Sequence, residues 1–427
     1  MSATQDTAAR RPTVGPAPRP RRGRADPRAA RQSSLREHNL SLVLRHIIEA
    51  PAPTTRARIA GAVGLTRATV SDLVDRLLRG QLVVELETES VDRAGRPGVL
   101  LAPASRSVVG LGLEIQVDQI SVRATDLAGS SIVQSRAAGD FRASDPAETV
   151  ERLVRLAAPV VGQLADEGIV VAGACVSVPG IMQRGSGQVR LAPNLGWEGV
   201  QLTDLLRVHH PFDLIPVELG NDADLAARAE ARARAQLRGT SRAAQSFLYL
   251  AGEVGIGGAI VLDGELASGQ HGWSGEIGHA VIDPDGPRCR CGATGCLEQF
   301  AGKDALLRGA GLDVAEPLRR LVTAAHMRDP RALRSIEAAS TALGMAIATA
   351  MNIIDVEQVV LGGIYASLYE HLRPGIEAQV RLRVLAARWS DVRVEAALGQ
   401  GDSALVGASL QVLDRVVTDP TDWVPSS

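Results

Sequence analysis

Apolar residues change their spacing along this chain, and each change marks a boundary. Residues 1–34 show no period. The first 31 hold eight arginines against two aspartates and are broken by Pro12, Pro16, Pro18, Pro20 and Pro27. Such a stretch cannot bury enough apolar surface to offset its ordering, so residues 1–34 are expected to be a disordered arm. From Leu35 a helical period begins, with Leu40, Val43, Leu44 and Ile47 at steps of three and four until the prolines at 51 and 53. A second helix is predicted over 55–63 with Ile59 and Val63 inward, then a tight turn at Gly64 and Leu65. Thr66 is placed to cap a third helix over 67–78, whose Val70, Leu73, Val74 and Leu77 form its buried side.

An apolar, branched run fit for a strand replaces the helical period at 82–86, and a return strand follows at 99–101 across a loop carrying Arg93, Gly95, Arg96 and Pro97. Three helices and a two-stranded wing over 35–103 read as a winged helix-turn-helix. The third helix would present Arg67, Thr69 and Ser71 to base edges in a major groove, and Arg93 and Arg96 would meet phosphates or a minor groove. Three small helices also serve roles unrelated to DNA, and that alternative stays open on pattern alone.

Residues 104–417 alternate strands with helices, and the strands repeatedly end in Gly, Pro, Asn or Asp. That is the pattern of an α/β domain whose ligands sit at strand C-terminal ends, here in two lobes with a cleft between them. Asn221 and Asp222 fall at a strand-to-helix junction, where an amide and a carboxylate could hold a hydroxylated ligand; the plainer reading is an Asx cap. The segment 251–260, AGEVGIGGAI, is glycine-rich enough to cradle phosphate, but it fits no Walker or dinucleotide pattern. Residues 418–427 are expected to be a tail.

Three of the four cysteines lie in one stretch, 271–300. His279, Cys289, Cys291 and Cys296 form a soft N/S set suited to tetrahedral Zn2+, with Gly292 and Gly295 allowing the chain to fold back. Four protein ligands leave no place for water, which makes the zinc structural. The alternative is a group of reduced thiols beside a core histidine. Glu276 and His279, three residues apart, share a face in a helical turn, so the ring that binds metal with one nitrogen could offer the other to a ligand. Overall composition changes little: a net charge of −2 with 22% charged residues excludes neither DNA binding nor catalysis. No window reads as a membrane span, and a cytoplasmic location is expected.

These motifs together resemble the ROK family (repressors, open reading frames and sugar kinases), in particular its transcriptional repressors, over nearly all of 35–415. The most specific match is the GEIGHxxxDPDGPxCxCGxxGCLE pattern at 275–298. VPG at 178–180 with APNLGW at 192–197, NDAD at 221–224, VGIGGAIVLDG at 254–264 and VVLGG at 359–363 also follow the family's order, and the winged helix ending in GRP at 95–97 is similar to that of the repressor branch. The resemblance implies an actin-like ATPase, sugar-kinase-type fold, usually dimeric and conceivably tetrameric. It also implies sugar contacts from Asn194, Asn221, Asp222, Glu276, His279 and Glu298, with Asp222 at the kinases' catalytic base.

The chain departs from the kinases at 114–118, where Glu114-Ile115-Gln116-Val117-Asp118 replaces their D-x-G-G-T phosphate hairpin. Phosphoryl transfer depends on positioning those phosphates. The expected function is therefore a non-enzymatic, sugar-responsive DNA-binding regulator, a repressor on an inverted-repeat operator. The alternatives are an ATP-dependent sugar kinase and a DNA-bound regulator with a vestigial sugar pocket.

Overall fold

The computed structural model describes residues 14–15, 27–86, 99–238, 245–399 and 401–425. Three helices open it: α1 (Pro27–Glu49), α2 (Arg56–Val63) and α3 (Arg67–Arg79). Capping sets the limits of the short ones. The Thr55 hydroxyl accepts from Arg58 N, Gly64 ends α2 at φ 72°, and the Thr66 hydroxyl accepts from Thr69 N. The apolar stripes read from the sequence are buried together: Leu40, Val43, Leu44, Ile59, Val70, Val74 and Leu77 are all 0% exposed. Val83–Leu86 and Leu100–Pro103 pair as the expected wing, and Thr54–Thr55 adds a third strand against the second.

The two-lobed α/β architecture is present. In the first lobe the strands lie in the order Val217–Asn221, Val170–Val178, Val108–Ile115, Gln119–Asp126, Ser131–Ala138. The first three are mutually parallel, and the last two continue as an antiparallel meander. A small antiparallel sheet, Ile181–Gln183, Gln188–Ala192 and Trp197–Gln201, projects from it. The second lobe has the order Glu265–Leu266, Ile256–Leu262, Phe247–Gly252, Gln358–Gly363, Arg393–Ala396. Helix Pro330–Ile354 is long and apolar enough to cross a membrane by composition, but its Ile336, Leu343 and Ile347 are packed in that lobe's core.

Between the lobes lie two helices, Asp222–Arg238 and Ser403–Thr418. The second packs backbone to backbone on the first lobe. A Cβ at Gly110 would stand 2.3 Å from Ser409 O, and one at Gly112 would stand 2.2 Å from Leu405 O. Side chains at those two positions would push the helix off the sheet.

Two boundaries differ from the sequence reading. Helix α1 begins at Pro27, inside the stretch expected to be disordered, because proline is tolerated in the first helical turn. Val14 bridges Val171, and Gly15 N donates to Val171 O, so part of the arm also lies against the first lobe. The expected tail likewise packs: Val424 is 7% exposed and shares one apolar cluster with α1–α3 and with Leu410, Leu413, Val416 and Val417. The three helices therefore do not own a separate core. Their cluster also takes in Val108, Leu127 and Ala229 of the larger domain.

Candidate functional site

Strand Val217–Asn221 ends and helix Asp222–Arg238 begins at the cleft between the lobes, in a cavity of about 340 Å³. Asn194, Asn221, Asp222, Glu276, His279 and Glu298 all line it. Asn221 does the work of an Asx cap as well. Its side-chain oxygen accepts from Ala223 N at 2.9 Å and Asp224 N at 3.1 Å, while its amide donates to Gly180 O at 3.0 Å. The cap fixes the side chain of a residue that also lines the cavity. Asp222 accepts from the backbone N–H of Ala223 at 2.9 Å, and burial raises its carboxyl above the ordinary range.

Crowding accounts for the glycines at 255, 257 and 258. A Cβ at Gly255 would lie 2.5 Å from Glu298 Oε2 and 2.9 Å from Asn194 Nδ2. Gly258 and Gly275 face each other so closely that a Cβ on either would lie within 2.6 Å of the other's carbonyl oxygen. This contact, with Gly275 at φ 94°, seats the turn that carries Glu276 and His279. Burial, then the charges of Asp222 and Asp224, pushes Glu276 up to about 7. Burial likewise raises Glu298.

His279, Cys289, Cys291 and Cys296 converge, their ligand atoms all within 4.8 Å of one another. His279 Nδ1 lies 3.8 Å from Cys289 Sγ, and Cys291 Sγ lies 3.7 Å from Cys296 Sγ. A tetrahedral ion with Zn–S bonds of about 2.3 Å requires sulfurs about 3.7 Å apart, so the donor set fits zinc as it stands. Burial and the neighbouring thiols push Cys296 up to about 12, which makes a metal the natural means of ionising the group. With Nδ1 turned to the sulfurs, Nε2 is the nitrogen left for the cleft.

Arg290, between two of these cysteines, was not singled out by sequence. It donates to Asn194 Oδ1 at 3.3 Å, joining the cysteine loop to the small projecting sheet. Trp273 makes a parallel link, donating from Nε1 to Met182 O at 2.9 Å. Neither could be read from spacing, because each joins segments some 90 residues apart in sequence.

At the kinases' phosphate hairpin, side chains fill the turn. Gln119 donates to Gln116 at 3.0 Å and Gln116 donates to Glu114 at 3.2 Å, while Val117 is buried. The backbone N–H of Gln116 is itself engaged, donating to Gln119 O at 2.9 Å.

At the other end of the molecule, Arg67 is exposed at the first turn of α3 and makes no hydrogen bond or ion pair among the described residues. The Thr69 hydroxyl is engaged with that of Thr66 at 2.9 Å, and Ser71 is half-buried. Arg93 and Arg96 lie outside the described residues. Arg56, not expected from sequence, pairs with Asp75 and Glu85, both at 2.8 Å, and ties α2 to α3 and the wing.

The model of the ROK family matches residues 110–415. The xylose repressor of Bacillus subtilis is 25% identical over 390 residues, covering 90% of this chain and 97% of that protein. Among solved structures, a ROK family transcriptional regulator, described as a homologue of the E. coli MLC protein, superposes with a TM-score of 0.71 at 23% identity over 90% of this chain and 97% of its own. A ROK family glucokinase from Streptomyces griseus, in complex with glucose and AMPPNP, superposes with a TM-score of 0.60 at 24% identity, covering 71% of this chain and 98% of its own. The fold is thus the sugar-kinase type, and the relatives that span the three-helix head are transcriptional regulators.

Proposed function

This chain belongs to the ROK family, and from that premise we propose that it is a non-catalytic, sugar-responsive transcriptional repressor acting on cytoplasmic DNA. As a homodimer it presents two α3 helices to an inverted repeat about one helical turn apart, or a multiple of that. Arg67, Thr69 and Ser71 face base edges, and Arg93 and Arg96 meet the backbone. A monosaccharide held by Asn194, Asn221, Asp222, Glu276, His279 and Glu298 draws the lobes together. Zinc on His279, Cys289, Cys291 and Cys296 holds the loop that presents Glu276 and Arg290.

The observation that carries this reading is the shared core: α1–α3 bury their apolar side chains against Leu410, Leu413, Val416 and Val417 of the helix that lies between the lobes. A shift of one lobe on the other must then move the DNA head or strain that cluster. Sugar acts on DNA only by its unequal affinity for the two arrangements. The hairpin at Glu114–Asp118, without glycines and with its side chains hydrogen-bonded to one another, favours regulation over ATP-dependent phosphorylation.

An operator selected from random duplexes, then titrated with the protein in an electrophoretic shift with and without each of a panel of monosaccharides, tests the reading. Specific binding that at least one sugar changes is expected. Absence of DNA binding overturns it, and DNA binding that no sugar alters leaves only a vestigial pocket. Replacing Arg67 by Ala should weaken specific binding by about 1 to 3 kcal/mol while sugar affinity by calorimetry stays the same.

A further inference from the structure

The acids of the cleft extend beyond the residues assigned to sugar hydroxyls. Asp118, Asp222, Glu253, Glu276 and Glu298 line it, and its one lysine, Lys303, is 3.9 Å from Asp118. The cleft adjoins a cavity of about 30 Å³ walled by Glu114, Asp222, Glu253, Gln116 and Tyr249, three of which line both spaces. Glu114 is 1% exposed. One of its oxygens accepts from Gln116, and the other, Oε2, has no hydrogen-bond partner among the described residues.

Burial, then the charges of Glu253 and Asp222, pushes Glu114 up to about 8; burial, then Asp222 and Asp118, does the same to Glu253. At Glu114, Arg136 opposes this only weakly, and it is paired with Asp402. A buried carboxylate oxygen without a donor, in a space the size of one small group, is a receptor for N–H.

We propose that the cleft selects its effector by charge: it takes a monosaccharide bearing an amino group, the ammonium directed at Glu114, Asp222 and Glu253, ahead of the neutral sugar, and refuses the phosphorylated sugar. This rests on the sugar-binding reading above. An ammonium brings three donors and a positive charge to a site that holds acids in excess, so it lets them ionise and expels their protons. A phosphate brings two negative charges to the same acids and no donor for Glu114.

The test is calorimetry of the zinc-loaded full chain with glucose, mannose and galactose, each with its 2-amino, 6-amino and 6-phosphate derivatives. The expected order for at least one sugar is an amine about tenfold or more tighter than the parent, and a phosphate about a hundredfold or more weaker. Amine binding at pH 7 should release protons, read from the dependence of the heat on the buffer's ionisation enthalpy. A Glu114→Gln, Glu253→Gln double variant, shown folded by its melting curve, should lose the amine preference. A phosphate that binds more tightly than its parent, or amines that gain nothing, overturns the charge inference and leaves the sugar reading standing. No binding by any form overturns both.

Discussion

Glu114 shows how one residue can record a change of use. In the folded chain its carboxyl keeps its proton to about pH 8, whereas unfolded it ionises near its ordinary value of 4.5. Between those values the native state holds more protons than the unfolded one, so stability falls as pH rises from about 4.5 to about 8 and levels above. Glu114→Gln keeps the shape and removes the titration. Urea unfolding should show the variant more stable than the parent at pH 8, by about 1 to 3 kcal/mol, with the gap closing toward pH 5. Gly255 is the complementary case of a residue defined by what approaches it. Gly255→Ala should lower sugar affinity about tenfold or more, because its methyl group would displace Glu298 and Asn194. Sequence exposed the cysteines and the carboxylates because their chemistry is rare in such spacing. It hid Arg290 and Arg56, since one arginine in a chain with 46 Lys and Arg carries no mark until its partner is known.

Elements were legible in proportion to their periodicity. Helix α3 lay within a residue or so of where its apolar pattern put it. Thr54–Thr55 was not, because two residues have no period and the pairing with Leu100 and Leu101 is set by the whole head. The cysteine loop between His279 and Glu298 has little regular structure, and its form depends on its cross-links. Cys289→Ser should therefore abolish stoichiometric zinc by metal analysis and lower the melting temperature by roughly 5 °C or more. Retained zinc with an unchanged melt would contradict the assignment. The loss should also reach the cleft, since the same loop carries Arg290 to Asn194.

For the whole molecule, the two-lobed plan followed from the order of strands and glycine stops, but the position of the head did not. It depends on Thr421–Trp423 and Val424, where a single buried valine gives pattern analysis nothing to recognise. A Cβ at Gly80, the cap of α3, would stand 2.5 Å from Trp423 O, so the last residues seat against the end of the helix proposed to read DNA. Val424→Asp puts a charge into that seam and should cost about 2 to 4 kcal/mol. Operator affinity should fall, and the response to sugar with it, while calorimetric sugar affinity stays near that of the parent. An unchanged operator affinity would show that the head holds its place without the seam.

Because the apolar cluster of α1–α3 is completed by Ser403–Thr418 and Val424, residues from opposite ends of the chain build one unit. A fusion cut at residue 103 would transplant a head with an open side. To borrow this reader for another sensor, an engineer would have to carry residues 403–424 along as well.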